Sequence, residues 1–170
     1  MIGNGARAFE EAAKHGLEGI VSKAVEAPYM PGNRGVWVKT KALNRQEFVI
    51  VGWTDPEGSR PALGSLLLGY YGDDGKLIYA GRAGTGMTDS ELHALVKRLK
   101  PLASEKMPLA SPPPKNTRGK PLVLSRVHWV KPRLVAEVTY LTWASDGLLR
   151  HVVYEGLRED KVAREVRRIG

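Results

Sequence analysis

The chain has 170 residues, 42% of them hydrophobic, and sets 26 Lys and Arg against 18 Asp and Glu for a formal charge of +8. That composition fits a globular protein with one good core or two small ones, and favours a polyanionic partner such as nucleic acid or anionic headgroups. The absence of Cys excludes disulfides and thiolate metal sites, His15, His93, His128 and His151 share no zinc-ligand spacing, and no apolar run or export signal argues for a membrane or secretory destination.

In chain order, "ARAFEEAAKHG" predicts a helix with Phe9, Ala12 and Ala13 on one face and Gly16 as its C-cap, and "LEGIVSK" predicts a strand. The turn-forming "YMPGNR" leads to "RGVWVKTK", a second strand. Alternation there points Val36 and Val38 inward and gathers Trp37, Lys39 and Lys41 on the opposite face. Two like charges side by side call for a negative partner. One helix and two short strands cannot bury a core, so residues 1–44 read as the tail end of a larger domain whose earlier portion is absent.

From residue 45 the pattern changes. "QEFVIVGWT", "ALGSLLLGYYG" and "KLIYAGRA" predict three consecutive strands, the last two joined by a hairpin at Asp73-Asp74-Gly75. In "MTDSELHALVKRLKPLA" a capping box of Thr88 and Glu91 opens a helix with the apolar stripe Leu92, Leu95, Val96 and Leu99. Pro101 to Pro121 reads as an irregular, extended loop. "RLVAEVTYLTWA" and "LLRHVVYE" predict two more strands around a turn at Ser145-Asp146-Gly147, and "EDKVAREVRRIG" predicts a basic amphipathic C-terminal helix. Three strands, a helix and two strands is the order of a five-stranded oligonucleotide-binding (OB) barrel over residues 45–170. The predicted fold class is therefore mainly β with some α, an OB barrel preceded by a helix-strand-strand remnant.

"GRAGTG", Gly81 to Gly86, lies between a strand and a helix but lacks the G-x-G-x-x-G spacing and any βαβ surroundings. A turn that uses positive φ is the simpler reading.

Three short motifs occur in a telling order: "EGIVSK" with Glu18 and Lys23, "WVKTK" with Lys39 and Lys41, and "LREDK" with Arg158, Asp160 and Lys161. The first two resemble motifs four and five of the nucleotidyltransferases that comprise ATP-dependent DNA ligases and capping enzymes. The third looks like the R-x-D-K motif six on the OB domain of those ligases. "GRAGTG" and "DGLLRHVVYEGLREDK" are similar to the ligase modules of the bacterial, end-joining ligase D type. The resemblance covers nearly the whole chain, although Ala24 stands where that subfamily has a basic residue.

The resemblance implies an ATP-dependent enzyme that carries AMP on a lysine, passes it to a DNA 5′-phosphate and seals the nick. On that reading Lys39 and Lys41 grip the α-phosphate, Lys23 adds to the nucleotide site, and Glu18 helps hold Mg or Mn; the OB domain closes over ATP so that Arg158, Asp160 and Lys161 serve enzyme adenylation, Arg158 and Lys161 neutralising the β- and γ-phosphates that leave as pyrophosphate, and then swings away to grip DNA. Two ammonium groups on one strand suit a phosphate, the negative partner the lysine pair calls for. Residues 42–46 would hinge the two domains. Lys76, Arg82, Arg118, Lys120 and Arg126 are candidates for contact with nicked or broken duplex DNA. End-joining repair proteins as partners, a monomeric state and a bacterial cytoplasmic, nucleoid-associated location follow from the same resemblance. The nucleophile motif K-x-D-G is absent from the 170 residues, so the chain reads as a C-terminal ligase fragment. Other classes carried beside it are a stand-alone OB protein that stacks single strands on Trp53, Tyr70, Tyr71 and Tyr79, and an RNA ligase or capping-type nucleotidyltransferase.

Overall fold

A computed structural model describes residues 4–15, 17–26, 37–114 and 122–169. Gly16, the "YMPGNR" turn, Val36, Arg118 and Lys120 lie outside the described residues. The chain divides into two compact units, Met1–Asn44 and Arg45–Gly170.

In the first unit, Asn4 caps helix α1 (Gly5–Lys14), its side chain accepting from the amides of Ala6 at 3.1 Å and Arg7 at 3.3 Å. Ala12 is buried and Phe9 half-buried, but Ala13, assigned from sequence to the apolar face, is exposed. Strands β1 (Gly19–Lys23) and β2 (Trp37–Lys41) pair antiparallel as a two-stranded ribbon. Val38, expected to point inward, is 58% exposed. Among the described residues nothing covers that face of the ribbon, so alternation sorts the side chains without burying either set.

The second unit is built around one long strand, β3 (Asn44–Thr54), with β4 (Leu66–Tyr71), β5 (Leu77–Ala83), β7 (Val135–Tyr140) and β10 (Val153–Leu157) in the order β10-β7-β3-β4-β5. A register shift between Ile50 and Gly52 bends β3, and its last residues also pair with the short β6 (Val127–Trp129), which the sequence pattern did not announce. The run "FVIV" in β3 is buried on both faces: Phe48 and Ile50 join Leu66, Leu68, Val138 and Tyr154, whereas Val49 and Val51 join Leu67, Leu77, Val135 and Val166. Helix α2 (Asp89–Leu99) closes the first of these clusters with Leu92, Leu95 and Leu99 and begins with the expected Thr88–Glu91 capping box.

The last two predicted strands are each broken in two. β8 (Thr142–Trp143) and β9 (Leu149–Arg150) form a separate hairpin. His151, with φ 54, turns the chain out of that hairpin before β10 begins. The six-stranded sheet is open. Its two edges are linked by a single parallel bridge, Thr85 to Val153, where the Tyr154 amide donates to the Thr85 carbonyl at 2.9 Å. Gly86 permits that approach: at φ +88, a Cβ there would stand 2.3 Å from the Tyr154 carbonyl oxygen. Gly86 of "GRAGTG" thus serves backbone packing.

The C-terminal helix predicted from "EDKVAREVRRIG" does not form. One 3₁₀ turn, Ala163–Glu165, is followed by extended chain. Two of its carbonyls go to neighbouring strands: Val166 accepts from the Tyr71 amide at 2.9 Å and Arg167 from the Gln46 side chain at 2.8 Å. Ala163 and Val166 are buried, and the Arg168 guanidinium lies 4.2 Å from the ring centre of Trp143. Tertiary partners outcompete the i to i−4 ladder that periodicity alone favours.

Candidate functional site

The β1–β2 ribbon aligns Gly19 with Lys41, Val21 with Lys39 and Lys23 with Trp37. This register brings the first two sequence motifs together. Lys39 Nζ donates to Glu18 Oε1 at 3.3 Å, and the ammonium of Lys23 sits 5.4 Å from the centre of the Trp37 ring. Both members of the Glu18–Lys39 pair are more than half exposed, so the pair adds little stability and is open to a ligand. Gly19, at φ +148, is the joint of the ribbon: a Cβ there would lie 2.1 Å from the Thr40 carbonyl oxygen and 2.8 Å from Lys41 Cα. Only glycine lets the chain beside Glu18 approach the lysine strand this closely. Among the described residues no three carboxylate or imidazole groups converge as a metal cage.

In the second unit, Arg158 follows β10 directly, and its amide donates to the Val135 carbonyl at 2.8 Å. Its guanidinium forks onto Asp160, Nε to Oδ1 at 2.9 Å and Nη2 to Oδ2 at 2.8 Å. Its Nη1 donates to Glu47 at 3.0 Å and to Glu137 at 3.2 Å. Lys161 reaches the same Glu47 oxygen at 3.6 Å, and Arg45 donates to the other oxygen of Glu137 at 2.7 Å. Hydrogen bonds from Arg158 bring the Asp160 carboxyl down to about 2, and those to Asp160 raise the guanidinium further above its ordinary value. The bond from Arg45 lowers Glu137 below the usual carboxylate range. Glu159, between these residues, turns away to Arg98 of α2 at 2.6 Å. Sequence reasoning identified the Arg-x-Asp-Lys cluster but missed Glu47, Glu137 and Arg45, which lie on strands distant in sequence.

The proposed DNA contacts separate. Arg82 and Arg126 line one hollow of about 490 Å³, together with Arg60, which the sequence did not single out. Arg60 Nε donates to the Leu63 carbonyl at 2.9 Å, whereas its Nη2 is shielded from solvent and finds no protein acceptor among the described residues. Its sequence setting, "EGSRPALG", carries no signal beyond a loop. Lys76 lies elsewhere, on the β4–β5 hairpin, and pairs with Asp74 at 3.1 Å.

Two of the four aromatics offered as stacking platforms are core residues. Trp53 and Tyr71 are each 8% exposed. Trp53 is covered by the His128 ring, 4.0 Å away and nearly parallel. Tyr79 is half-buried, and burial pushes its hydroxyl up to about 12. Tyr70 packs edge-on against Trp143. Of residues 42–46, expected from sequence to act as a hinge, Asn44, Arg45 and Gln46 belong to β3, and only Ala42 and Leu43 lie outside strands.

Residues 59–161 match the family described as the ATP dependent DNA ligase C terminal region. The chain is 45% identical over 157 residues to the Pseudomonas aeruginosa multifunctional non-homologous end joining protein LigD, covering 91% of this chain and 18% of that protein. It is 44% identical over 169 residues to the multifunctional non-homologous end joining DNA repair protein LigD of Mycobacterium tuberculosis, covering 98% of this chain and 21% of that protein. Against the crystal structure of the ligase domain from M. tuberculosis LigD the TM-score is 0.68, at 43% identity across 98% of this chain and 52% of the other. A mycobacterial DNA ligase D complexed with ATP and MES gives 0.64 at 42% identity, again across 98% and 52%. The chain thus spans about a fifth of the length of the LigD relatives and about half of the solved ligase domains. With this match over more than half of its length, the chain belongs to the ATP-dependent DNA ligase C-terminal family.

Proposed function

We propose that the chain is the C-terminal portion of an ATP-dependent DNA ligase that seals strand breaks in end-joining repair, with residues 1–44 completing an adenylation domain and 45–170 forming an OB module. The observation that carries this reading is the ribbon that lines Lys41 up with Gly19 and Lys39 with Val21 and brings the Lys39 ammonium to 3.3 Å from the Glu18 carboxylate. Phosphoryl transfer is catalysed chiefly by positioning and charge neutralisation, which two ammonium groups on one strand supply to the α-phosphate. Lys23, steadied over Trp37, adds positive charge at the far end of the ribbon. Glu18 would offer a carboxylate oxygen to Mg or Mn, a hard cation that fills its remaining positions with water and phosphate oxygens. The strand order and the parallel bridge from Thr85 to Val153, at the point where a five-stranded barrel would close, support the OB reading.

The test uses ATP labelled at the α-phosphate. A longer parent protein, with K-x-D-G upstream of residue 1, should retain label after denaturation and seal a nicked duplex. The 170-residue chain, which has no such motif, should retain none, because a stable phosphoramidate needs that lysine. Label on this chain, or a parent that neither labels nor seals, would refute the proposal.

DNA contact is proposed for the hollow lined by Arg60, Arg82 and Arg126, three guanidinium groups on one concave surface whose positive charge suits phosphate oxygens. Affinity of this chain for nicked duplex should fall about tenfold or more between low and physiological salt through counterion release. Replacing both Arg60 and Arg126 by Ala should reduce the logarithmic salt slope by about one to two and weaken all sequences alike. A flat salt response or strong base preference in a titration followed by fluorescence anisotropy would count against phosphate contact.

A further inference from the structure

Arg158 is given more acid than a single ion pair requires. Asp160 alone fills its Nε–Nη2 edge, yet Nη1 meets Glu47 and Glu137 as well. Those two glutamates stand on different strands, β3 and β7, with side chains only 24% and 17% exposed. Half-buried carboxylates on either side of one nitrogen repel each other unless a cation lies between them. Arg45, Arg158 and Lys161 balance Glu47, Glu137 and Asp160, three charges of each sign, so the cluster is neutral as it stands.

The two glutamates differ in what they keep when Arg158 leaves. Glu137 retains Arg45, bound at 2.7 Å through its second oxygen. Glu47 touches both Arg158, at 3.0 Å, and Lys161, at 3.6 Å, and has no other cation partner among the described residues. It also borders a hollow of about 260 Å³ that is lined by Lys161 and Arg167 as well as by Glu165, so a small anion can approach Lys161 from that side. An anion that takes both cations must therefore displace Glu47 from both.

We infer that Glu47 is a positioning residue that holds Arg158 and Lys161 side by side as a neutral pair and yields them to the terminal phosphates of ATP by exchange of carboxylate for phosphate. The inference rests on the proposed role of Arg158 and Lys161 in binding the polyphosphate. Asp160 and Glu137 keep hold of the guanidinium throughout, and exchange of one anion for another spares Lys161 a stage without a partner, which keeps the step low in cost in both directions. It also gives the pair a place to return to once pyrophosphate has left. Glu137, shared with Arg45, fixes the Arg158 side of the pair and bears less of the competition.

The test titrates this 170-residue chain with inorganic tripolyphosphate at low salt by calorimetry, with thermal melts to verify folding. Glu47→Gln keeps the side-chain shape and removes the charge. It should tighten binding by about fivefold or more, because a unit charge within 4 Å of both cations no longer competes. The gain should shrink as salt is added and vanish in an Arg158→Ala background. Glu137→Gln should shift affinity the same way by a smaller factor, and stands in if Glu47→Gln does not fold. In the full-length ligase Glu47→Gln should lower the KM for ATP while slowing release of the pair after adenylation, a split that loss of fold would not produce. Unchanged or weaker binding by the folded glutamine variants would overturn the exchange. If Arg158→Ala binds tripolyphosphate as tightly as the wild type, the polyphosphate role of Arg158 is itself wrong, a result distinct from failure of the exchange.

Discussion

Arg158→Ala, placed in a full-length ligase, should slow formation of the enzyme adenylate by about a hundredfold or more, the usual loss when one preorganised donor to developing phosphate charge is removed. Sealing of a DNA nick that already carries AMP should fall by no more than about threefold, since no pyrophosphate leaves in that step. The division follows from position. Arg158, Asp160 and Lys161 lie in the second unit, whereas Glu18, Lys39 and Lys41 lie in the first. Under the proposed mechanism the second unit meets ATP only while the leaving group is being expelled. Lys161→Ala should show the same pattern with a smaller loss, since a lysine contributes a point charge where the arginine contributes a fork. Lys41→Ala should damage both steps, because under the same proposal it grips the AMP phosphate, which persists through both. Single-turnover assays with labelled ATP and with a pre-adenylated nick separate the two. Equal losses in both assays for Arg158→Ala would defeat the division of labour and leave the fork to Asp160 as an element of stability alone.

Gly19→Ala should be nearly as damaging, although it alters no functional group. The new methyl would have to occupy space 2.1 Å from the Thr40 carbonyl oxygen and 2.8 Å from Lys41 Cα, at a backbone φ of +148 that residues with a side chain rarely adopt. The ribbon must shift, and with it the spacing between Glu18 and the two lysines. Misplacement of about 1 Å costs on the order of a hundredfold in reactions that depend on positioning. Adenylation by a full-length Gly19→Ala enzyme should fall by that order. Adenylation within about twofold of wild type would show that the Gly19 approach carries no catalytic weight.

What could be read along the chain was whatever depends on neighbours in sequence. The Thr88–Glu91 capping box, the leucine stripe of α2, the hairpin at Asp73-Asp74-Gly75 and the alternation that sets Trp37, Lys39 and Lys41 on one face all arise from spacings of four residues or fewer, where backbone geometry alone decides which side chains meet. The Arg158–Asp160 fork belongs with them, two residues apart. The failures lie where a distant partner outbids the local preference. The tail from 162 to 169 has helical periodicity, but Tyr71 and Gln46 claim its carbonyls, and the chain stays extended to reach them. Val38 alternates correctly and is still exposed, because burial needs a second layer that alternation cannot supply. Lys39 stands opposite Val21 in register and still reaches Glu18 at 3.3 Å, a pairing that exists only because the two strands fold side by side. Glu47 stands 111 residues from Arg158, and only the β10-β7-β3 strand order brings them to 3.0 Å. Sequence by itself determined which residues carry the charges. The tertiary fold decided which of them are paired, because electrostatic partnership falls off over a few ångströms of space and is indifferent to separation along the chain.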